Sequence, residues 1–443
     1  MDILFIAVDD LNDWVGVLKG HPQAATPNID RLAGRGITFT NAHSPSALCN
    51  PSRTALLTGL RPSTSGVYGN DPDWRNEAVF DGLRSLPGYF RDNGYRTLGA
   101  GKIFHAHTFG ASGFSGYNDT TAWDAFYPSL ERQLPDEVGP PTKPANRNPL
   151  SSSFDWSAVV VDDAAMADGQ VVSWVANQLG AETGSPRFVA AGIYRPHLPW
   201  YVPQKWFDLH PLEEVMLPAV VANDLDDVPP LGRAGSFQST QWHEWVLESG
   251  SWKQGVQAYL ASISFADAMV GRLLDALDAS GRADRTIVVL WGDHGFHLGE
   301  KARWRKMTLW EESTHVPLIV VAPGVSTAGS RTAKPVSLMD LYPTLADLAG
   351  LDVPAHVEGN SLVPLIENQD ADWPEAVLTT YGYKNHAVRS EHYRYIRYAD
   401  GSEELYDHRE DPNEWTNLAE RRDYADVKTD LARWLPGADA QAL

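Results

Sequence analysis

Short apolar runs alternate with longer amphipathic ones along most of the chain. The runs over 3–8, 187–193, 286–291 and 317–322 lack polar alternation, the pattern of strands covered on both faces. Between them, the windows 26–35, 164–179, 254–277 and 338–348 repeat at helical period. In the third, Val256, Tyr259, Leu260, Ile263, Val270, Leu273, Leu274 and Leu277 form one stripe, which reads as packing. Strands alternating with helices in this way predict an α/β fold, a large mostly parallel sheet sandwiched by helices.

Two stretches break the pattern. Residues 134–153 carry five prolines and three serines, and 218–239 mixes prolines, glycines and aspartates. Loops this long inside a compact domain are commonly the walls of a binding cleft. Past about residue 373 the periodicity changes to two, in Tyr393-Arg394-Tyr395-Ile396-Arg397-Tyr398, a turn at Asp400-Gly401, then Glu404-Leu405-Tyr406. A helix is expected over 427–434. The chain therefore divides into a large α/β domain over 1–372 and a small C-terminal α+β subdomain over 373–443. No internal repeat is visible.

Composition narrows the class. Of 443 residues, 43% are hydrophobic and 21% charged, which excludes disorder and fibrous repeats. With 36 basic against 57 acidic residues the net charge is −21, arguing against nucleic acid or an anionic membrane surface as partner. No run approaches the ~20 apolar residues of a membrane span. The chain opens almost directly on a buried strand, so an upstream leader, removed from this chain, is expected. Cys49 is the single cysteine, hence no internal disulfide; it is a free thiol, a ligand or a modified group.

The chemistry-bearing residues cluster at predicted strand ends. Asp9-Asp10 follows the first strand and Asp293-His294 follows the 286–291 strand. Alone, Asp9-Asp10 reads as a turn. Beside Asp293 it reads as a metal site, because carboxylates converging at one sheet edge repel unless a cation lies between them. Oxygen-rich ligation points to a hard ion, Ca²⁺ or Mg²⁺. Cys49-Asn50-Pro51-Ser52-Arg53 opens a short helix, where a thiol becomes reactive; an inert buried cysteine is the equal alternative. Gly101-Lys102-Ile103-Phe104-His105 must lie at a strand end or loop if Lys102 and His105 are to face one site.

The stretch from Cys49 to Pro62 resembles the signature of the type I, formylglycine-dependent sulfatases, Cys-x-Pro-Ser-Arg followed by Thr-Gly. The neighbouring motifs Arg61-Pro62-Ser63-Thr64, Leu86-Pro87-Gly88-Tyr89-Phe90, Gly101–His105, 195–199 and Thr314-His315-Val316-Pro317 bring it closest to the iduronate-2-sulfatase-like bacterial members. That resemblance implies an alkaline-phosphatase-like sulfatase fold and a catalytic set of Cys49, Arg53, Lys102, His105, His197 and Lys306. Arg303 and Arg305 stand beside Lys306 as alternatives. It also implies metal ligands Asp9, Asp10, Cys49, Asp293 and His294, holding Ca²⁺ in preference to Mg²⁺. Cys49 is then converted to formylglycine by a formylglycine-generating enzyme. The implied location is periplasmic or secreted.

The implied activity is removal of sulfate from a sulfated oligosaccharide, exo-acting on an algal or uronate-containing polysaccharide. A choline-sulfate-type sulfatase, a phosphate or phosphonate ester hydrolase and a non-catalytic glycan-binding protein are the competing classes. Trp74, Arg75, Arg195, His297, Trp304 and His386 are the candidate substrate contacts. A local cluster of Arg53, Lys102, His105, His197 and Lys306 reconciles an anionic substrate with an acidic chain, because distant charges are screened.

Overall fold

The computed structural model describes residues 1–109, 113–181, 184–234, 237–374 and 376–443. An eight-stranded sheet runs through its centre. In chain order its strands are β1 (Asp2–Val8), β2 (Ile37–Phe39), β3 (Arg96–Gly101), β4 (Ala125–Tyr127), β5 (Arg187–Ile193), β6 (Thr286–Gly292), β7 (Leu318–Val321) and β8 (Ser330–Thr332). Across the sheet they lie β8-β2-β7-β6-β1-β5-β3-β4. Neighbours are parallel except at β7, which runs against both β6 and β2.

The apolar run of β1 is continuous because neither face meets water. Leu4, Ile6 and Val8 enter one core cluster, while Ile3, Phe5 and Ala7 enter the other. On the first face pack α1 (Pro27–Ala33), α4 (Ala167–Gly180) and α5 (Trp252–Ala279). On the second pack α2 (Cys49–Thr58), α3 (Leu86–Asp92) and α6 (Leu341–Leu348). All six β1 side chains named are fully buried, so truncating a large one costs ~2–5 kcal/mol and its end is held firmly.

The helix expected over 254–277 extends two residues further at each end, because the apolar stripe marks only its buried turns. That over 338–348 begins as a single tight turn, Leu338–Asp340, which Ser337 and Asp340 cap reciprocally before α6 starts. The expected C-terminal hairpin forms between β11 (Tyr393–Arg397) and β12 (Glu403–Asp407). It is half of a four-stranded antiparallel sheet with β9 (Ala376–Thr380) and β10 (His386–Ser390). Those two strands are five residues each and carry no clean alternation. The helix α7 (Ala425–Ala432) covers this sheet, and Ile396 and Tyr406 pack with Leu309 and Trp310 of the main body.

The 134–153 stretch is irregular, as expected. Within 218–239, Pro230–Ala234 forms a short helix and Phe237 begins another; residues 235 and 236 lie outside the described ones. Among the described residues, no helix is long and apolar enough to cross a membrane.

Candidate active site

The C-terminal ends of β1, β3, β5 and β6 deliver the functional side chains to one edge of the sheet. Asp9 and Asp10 follow β1, and Asp10 takes a left-handed backbone (φ 58°) that turns its amide toward Asp293, whose Oδ1 accepts it at 3.0 Å. Asp293 and His294 follow β6. The helix α2 then points its first residue, Cys49, into this acidic edge. Its Sγ lies 3.1 Å from His294 Nε2 and 4.0 Å from Asp10 Oδ1. One turn on, Ser52 Oγ donates to the Asp293 carbonyl at 2.6 Å, locking the helix to β6.

Arg53, fully buried, cross-links three strand ends. Its Nε donates to Asp293 Oδ2 at 2.8 Å, its Nη2 to Asp9 Oδ1 at 3.0 Å, and its Nη1 to the carbonyls of Lys102 and Ile103. Lys102 pairs with Asp9 and Lys306 with Asp10. The turn after β3 is possible because Gly101 adopts φ 75°, and a Cβ there would stand 2.0 Å from the Gly192 carbonyl oxygen. Since β3 ends at Gly101, Lys102 and His105 escape strand alternation and both face the site; His105 lines the same cleft as Cys49.

After β5, the carboxylate of Asp168 on α4 accepts the backbone amides of Tyr194 (2.6 Å) and Arg195 (2.9 Å). This holds the loop that carries His197. Its Nδ1 lies 2.6 Å from the Leu198 carbonyl, which can only accept, so the proton sits on Nδ1 and Nε2 faces Asp10 at 4.0 Å. Burial pulls the imidazole down to about 4, leaving it neutral. For Cys49 burial acts upward, but Lys102, Lys306 and His294 outweigh it and hold the thiol well below its ordinary range. Asp9 is pushed well up by burial, whereas Asp293, although buried, is held down by Arg53 and His294.

This donor set suits a divalent cation. Ligand atoms of Asp9, Cys49, Asp293 and His294 all lie within 4.8 Å of one another, and Asp10 joins through Cys49 and His197. Asp10 Oδ2 is buried with no hydrogen-bond partner. His294 Nδ1 donates to the Gly295 carbonyl, so Nε2 is left to face the cluster. Cys49 forms the floor of a cleft of ≈ 780 Å³, within the range of small-ligand sites.

A family model described as sulfatase matches residues 1–351, and one described as the C-terminal part of N-sulphoglucosamine sulphohydrolase matches residues 299–441. A protein named sulfatase from Formosa agariphila is 42% identical over 99% of this chain and 87% of its own length. The chain belongs to the sulfatase family. Human iduronate 2-sulfatase is 31% identical over 80% of this sulfatase and 70% of its own length. The choline-sulfatase of Rhizobium meliloti is 30% identical over 95% and 82%. In fold, it is similar to the phosphonate monoester hydrolase of Agrobacterium radiobacter (TM-score 0.77, 22% identity, covering 98% and 94% of the two chains). The sheet sandwiched by helices is thus the alkaline-phosphatase-like sulfatase fold, and the protein is a hydrolase of sulfate esters.

The structure brings the expected catalytic and metal-binding side chains of this sulfatase within one buried cluster. The expected substrate contacts it does not: none of the six lines the cleft. Trp74 stacks on Phe104 inside the core, and Trp304 is fully buried against Phe154, Trp156 and Trp200. His297 is buried with Nε2 on Thr308, and His386 is buried against Asp439 and Thr380. Arg195 is buried and pairs with Glu137, behind the cleft wall. Arg75 grips Asp73 and stands behind the ring of Tyr117. Sequence proximity to a motif misled here, because alternate residues of a strand or turn face opposite ways.

The side chains that do line the cleft include Tyr117, Lys143, Tyr201 and Arg305. The 134–153 loop supplies part of the wall, as its composition suggested. Arg305 could have been found from the short ladder His297–Leu298 against Trp304–Arg305: if Trp304 is core, its neighbour is not.

Proposed function

We propose that this sulfatase removes sulfate from a sulfated carbohydrate, with residue 49 acting as formylglycine. The observation that carries the reading is the Cys49 side chain at the floor of the cleft, between two lysines, two histidines and the carboxylate cluster. Hydrated formylglycine supplies one hydroxyl that attacks sulfur and a second whose deprotonation expels sulfate, regenerating the aldehyde. A divalent cation held by Asp9, Asp10, Asp293, His294 and residue 49, a hard ion given the oxygen-rich set and Ca²⁺ in preference to Mg²⁺ by the resemblance to the sulfatase family, would supply charge that acidifies the nucleophile.

The remaining work falls to this chain's own groups. Arg53 fixes the carboxylates Asp9 and Asp293 and, through Lys102 and Ile103, the loop that carries His105. Lys102 and Lys306 hold the sulfuryl oxygens as their charge changes. His105, in contact with the residue-49 side chain, takes up the proton of the second hydroxyl. His197 is neutral at rest and so cannot begin as an acid. Binding of an anionic ester beside Nε2 raises its basicity, so Nε2 takes up a proton from solvent with the substrate and then delivers it to the departing sugar oxygen.

The similarity to iduronate 2-sulfatase and the aromatic lining of Tyr117 and Tyr201 support a sugar, exo-attacked, from an algal or uronate-containing polysaccharide. A protein meeting such polymers works in the periplasm or outside the cell. The similarity to choline-sulfatase favours, as second reading, a small-molecule ester. The deciding experiment is sulfate release from ulvan, carrageenan, fucoidan and glycosaminoglycan oligosaccharides, choline sulfate and nitrophenyl phosphate. Protein would be co-expressed with the formylglycine-generating enzyme, with Cys49→Ala as blank. Release from one glycan class, absent in the blank, is expected. Turnover of choline sulfate or the phosphate alone, with formylglycine verified by mass spectrometry, overturns the carbohydrate reading.

A further inference from the structure

The cations around the cleft differ in what they are paired with. Arg53, Lys102 and Lys306 are each held by the metal-site carboxylates. Arg132, on the cleft wall, is neutralised by Asp136 and also donates to the Leu134 carbonyl. Arg305 is the exception. It lines the same cleft as Cys49 and Lys306, yet among the described residues its guanidinium meets no carboxylate and no hydrogen-bond acceptor, and its Nε is buried without a partner.

The side chain is nonetheless fixed. Its guanidinium lies 4.7 Å from the ring centroid of Trp242, and Trp242 is itself stacked face to face on Phe154 at 4.4 Å and 6°. The residue is also held at φ 76°, a left-handed backbone that costs a non-glycine residue of the order of 1 kcal/mol. The short ladder explains the aim: Trp304 turns into the core, so Arg305 turns to the opposite side, into the cleft. A partly desolvated guanidinium without a counter-ion gains when an anion arrives. Its planar fork fits a carboxylate or sulfate bidentately.

We propose that Arg305 is a specificity-determining residue that binds a second anionic group, a carboxylate or another sulfate, on the sugar whose first sulfate is removed. The proposal rests on the carbohydrate reading above and names its substrate class: doubly anionic sugar esters. Lys143, an exposed cation over the Tyr201 ring on the same cleft, extends the positive wall outward.

The test compares wild type, Arg305→Gln and Arg305→Lys, all matured to formylglycine. The substrates are monosulfated neutral disaccharides, matched disaccharides bearing a uronate, and matched disulfated ones. Wild type should prefer one of the two doubly anionic classes by at least 10-fold in kcat/KM; which one identifies the second group. Arg305→Gln should erase most of that preference through KM, and Arg305→Lys should keep part of it. Calorimetric titration of the preferred sugar into Cys49→Ala with and without Arg305→Gln gives a readout independent of turnover and of fold loss, which a thermal melt monitors. Equal losses on neutral and doubly anionic esters would assign Arg305 to the scissile sulfate and overturn the proposal, as would an unchanged preference. A matured wild type that cleaves no sugar sulfate removes the carbohydrate reading itself, and this proposal with it.

Discussion

Arg53 directs Nε and both terminal nitrogens to different strand ends, all inside the protein. Lysine would bring one point charge where a rigid planar fork now reaches Asp9, Asp293 and two carbonyls. Arg53→Lys should therefore lower kcat/KM on any sulfate ester at least ~100-fold, since two carboxylates lose their fixed orientation. Leaving part of a buried ion network unpaired should also cost ~3–5 kcal/mol, read as a shift of the denaturant midpoint. Full activity in the lysine variant would show that the fork is dispensable. Cys49, Arg53, Asp9 and Asp293 were picked out in the sequence because each sits in a short contiguous motif that resembles the sulfatases, and the structure brings the four together. Asp168 was not, because its role depends on a partner in a distant segment, and Arg305 stood only as an alternative to Lys306, because its place depends on which way the side chain turns.

At the scale of elements, the site depends on how closely strand ends approach. Gly101 and Gly192 pair across β3 and β5, where a Cβ on Gly101 would overlap the Gly192 carbonyl and one on Gly192 the backbone of Lys102. Gly101→Ala combines that overlap with a left-handed φ that disfavours a Cβ, and is expected to cost several kcal/mol and to displace Lys102, lowering both Tm and kcat. An unchanged Tm would show that the two strands can part without penalty. Asp168, joining α4 to the exit of β5, adds a pH dependence. Burial raises its carboxyl to about 6, above the ordinary 3.8. The folded state thus holds this proton more tightly than the unfolded chain does. Its contribution is full below about pH 3.8 and is lost as pH rises through about 6. The stability difference between wild type and Asp168→Asn should drift against wild type by up to about 3 kcal/mol across that window. Denaturant titrations from pH 4 to 8 would measure it, and a flat difference would contradict the raised pKa. The strands and long helices were readable from apolar runs and stripes. β9 and β10 were not, since five mixed residues carry no period and form only by pairing, β10 with β11 and β9 with β10.

For the whole molecule, the metal-site donors come from residues 9, 10, 49, 293 and 294, so a bound cation would bridge segments far apart in sequence. Removing it with EGTA should lower Tm and abolish sulfate release, and Ca²⁺ should restore both. At a hundredfold excess over Kd the ion adds about 2.7 kcal/mol. A melting curve indifferent to chelator and to added Ca²⁺ would argue against a cation there. Fold class followed from the order of runs along the chain. The cleft followed only in part: composition marked the 134–153 loop as wall, but the other lining residues share a surface and no pattern.

Cys49 is only 1% exposed, and what covers it arrives late: Asp293, His294 and Lys306 all lie well past the middle of the chain. Parallel pairing of β1 with β6 must wait until those residues exist, and such distant pairings form slowly. During synthesis, therefore, the thiol passes through an interval in which it is accessible, and completion of the sheet ends that interval. If residue 49 is converted as proposed above, the converting enzyme would compete against folding itself, and the fraction of active molecules in a preparation would be set by the outcome of that race.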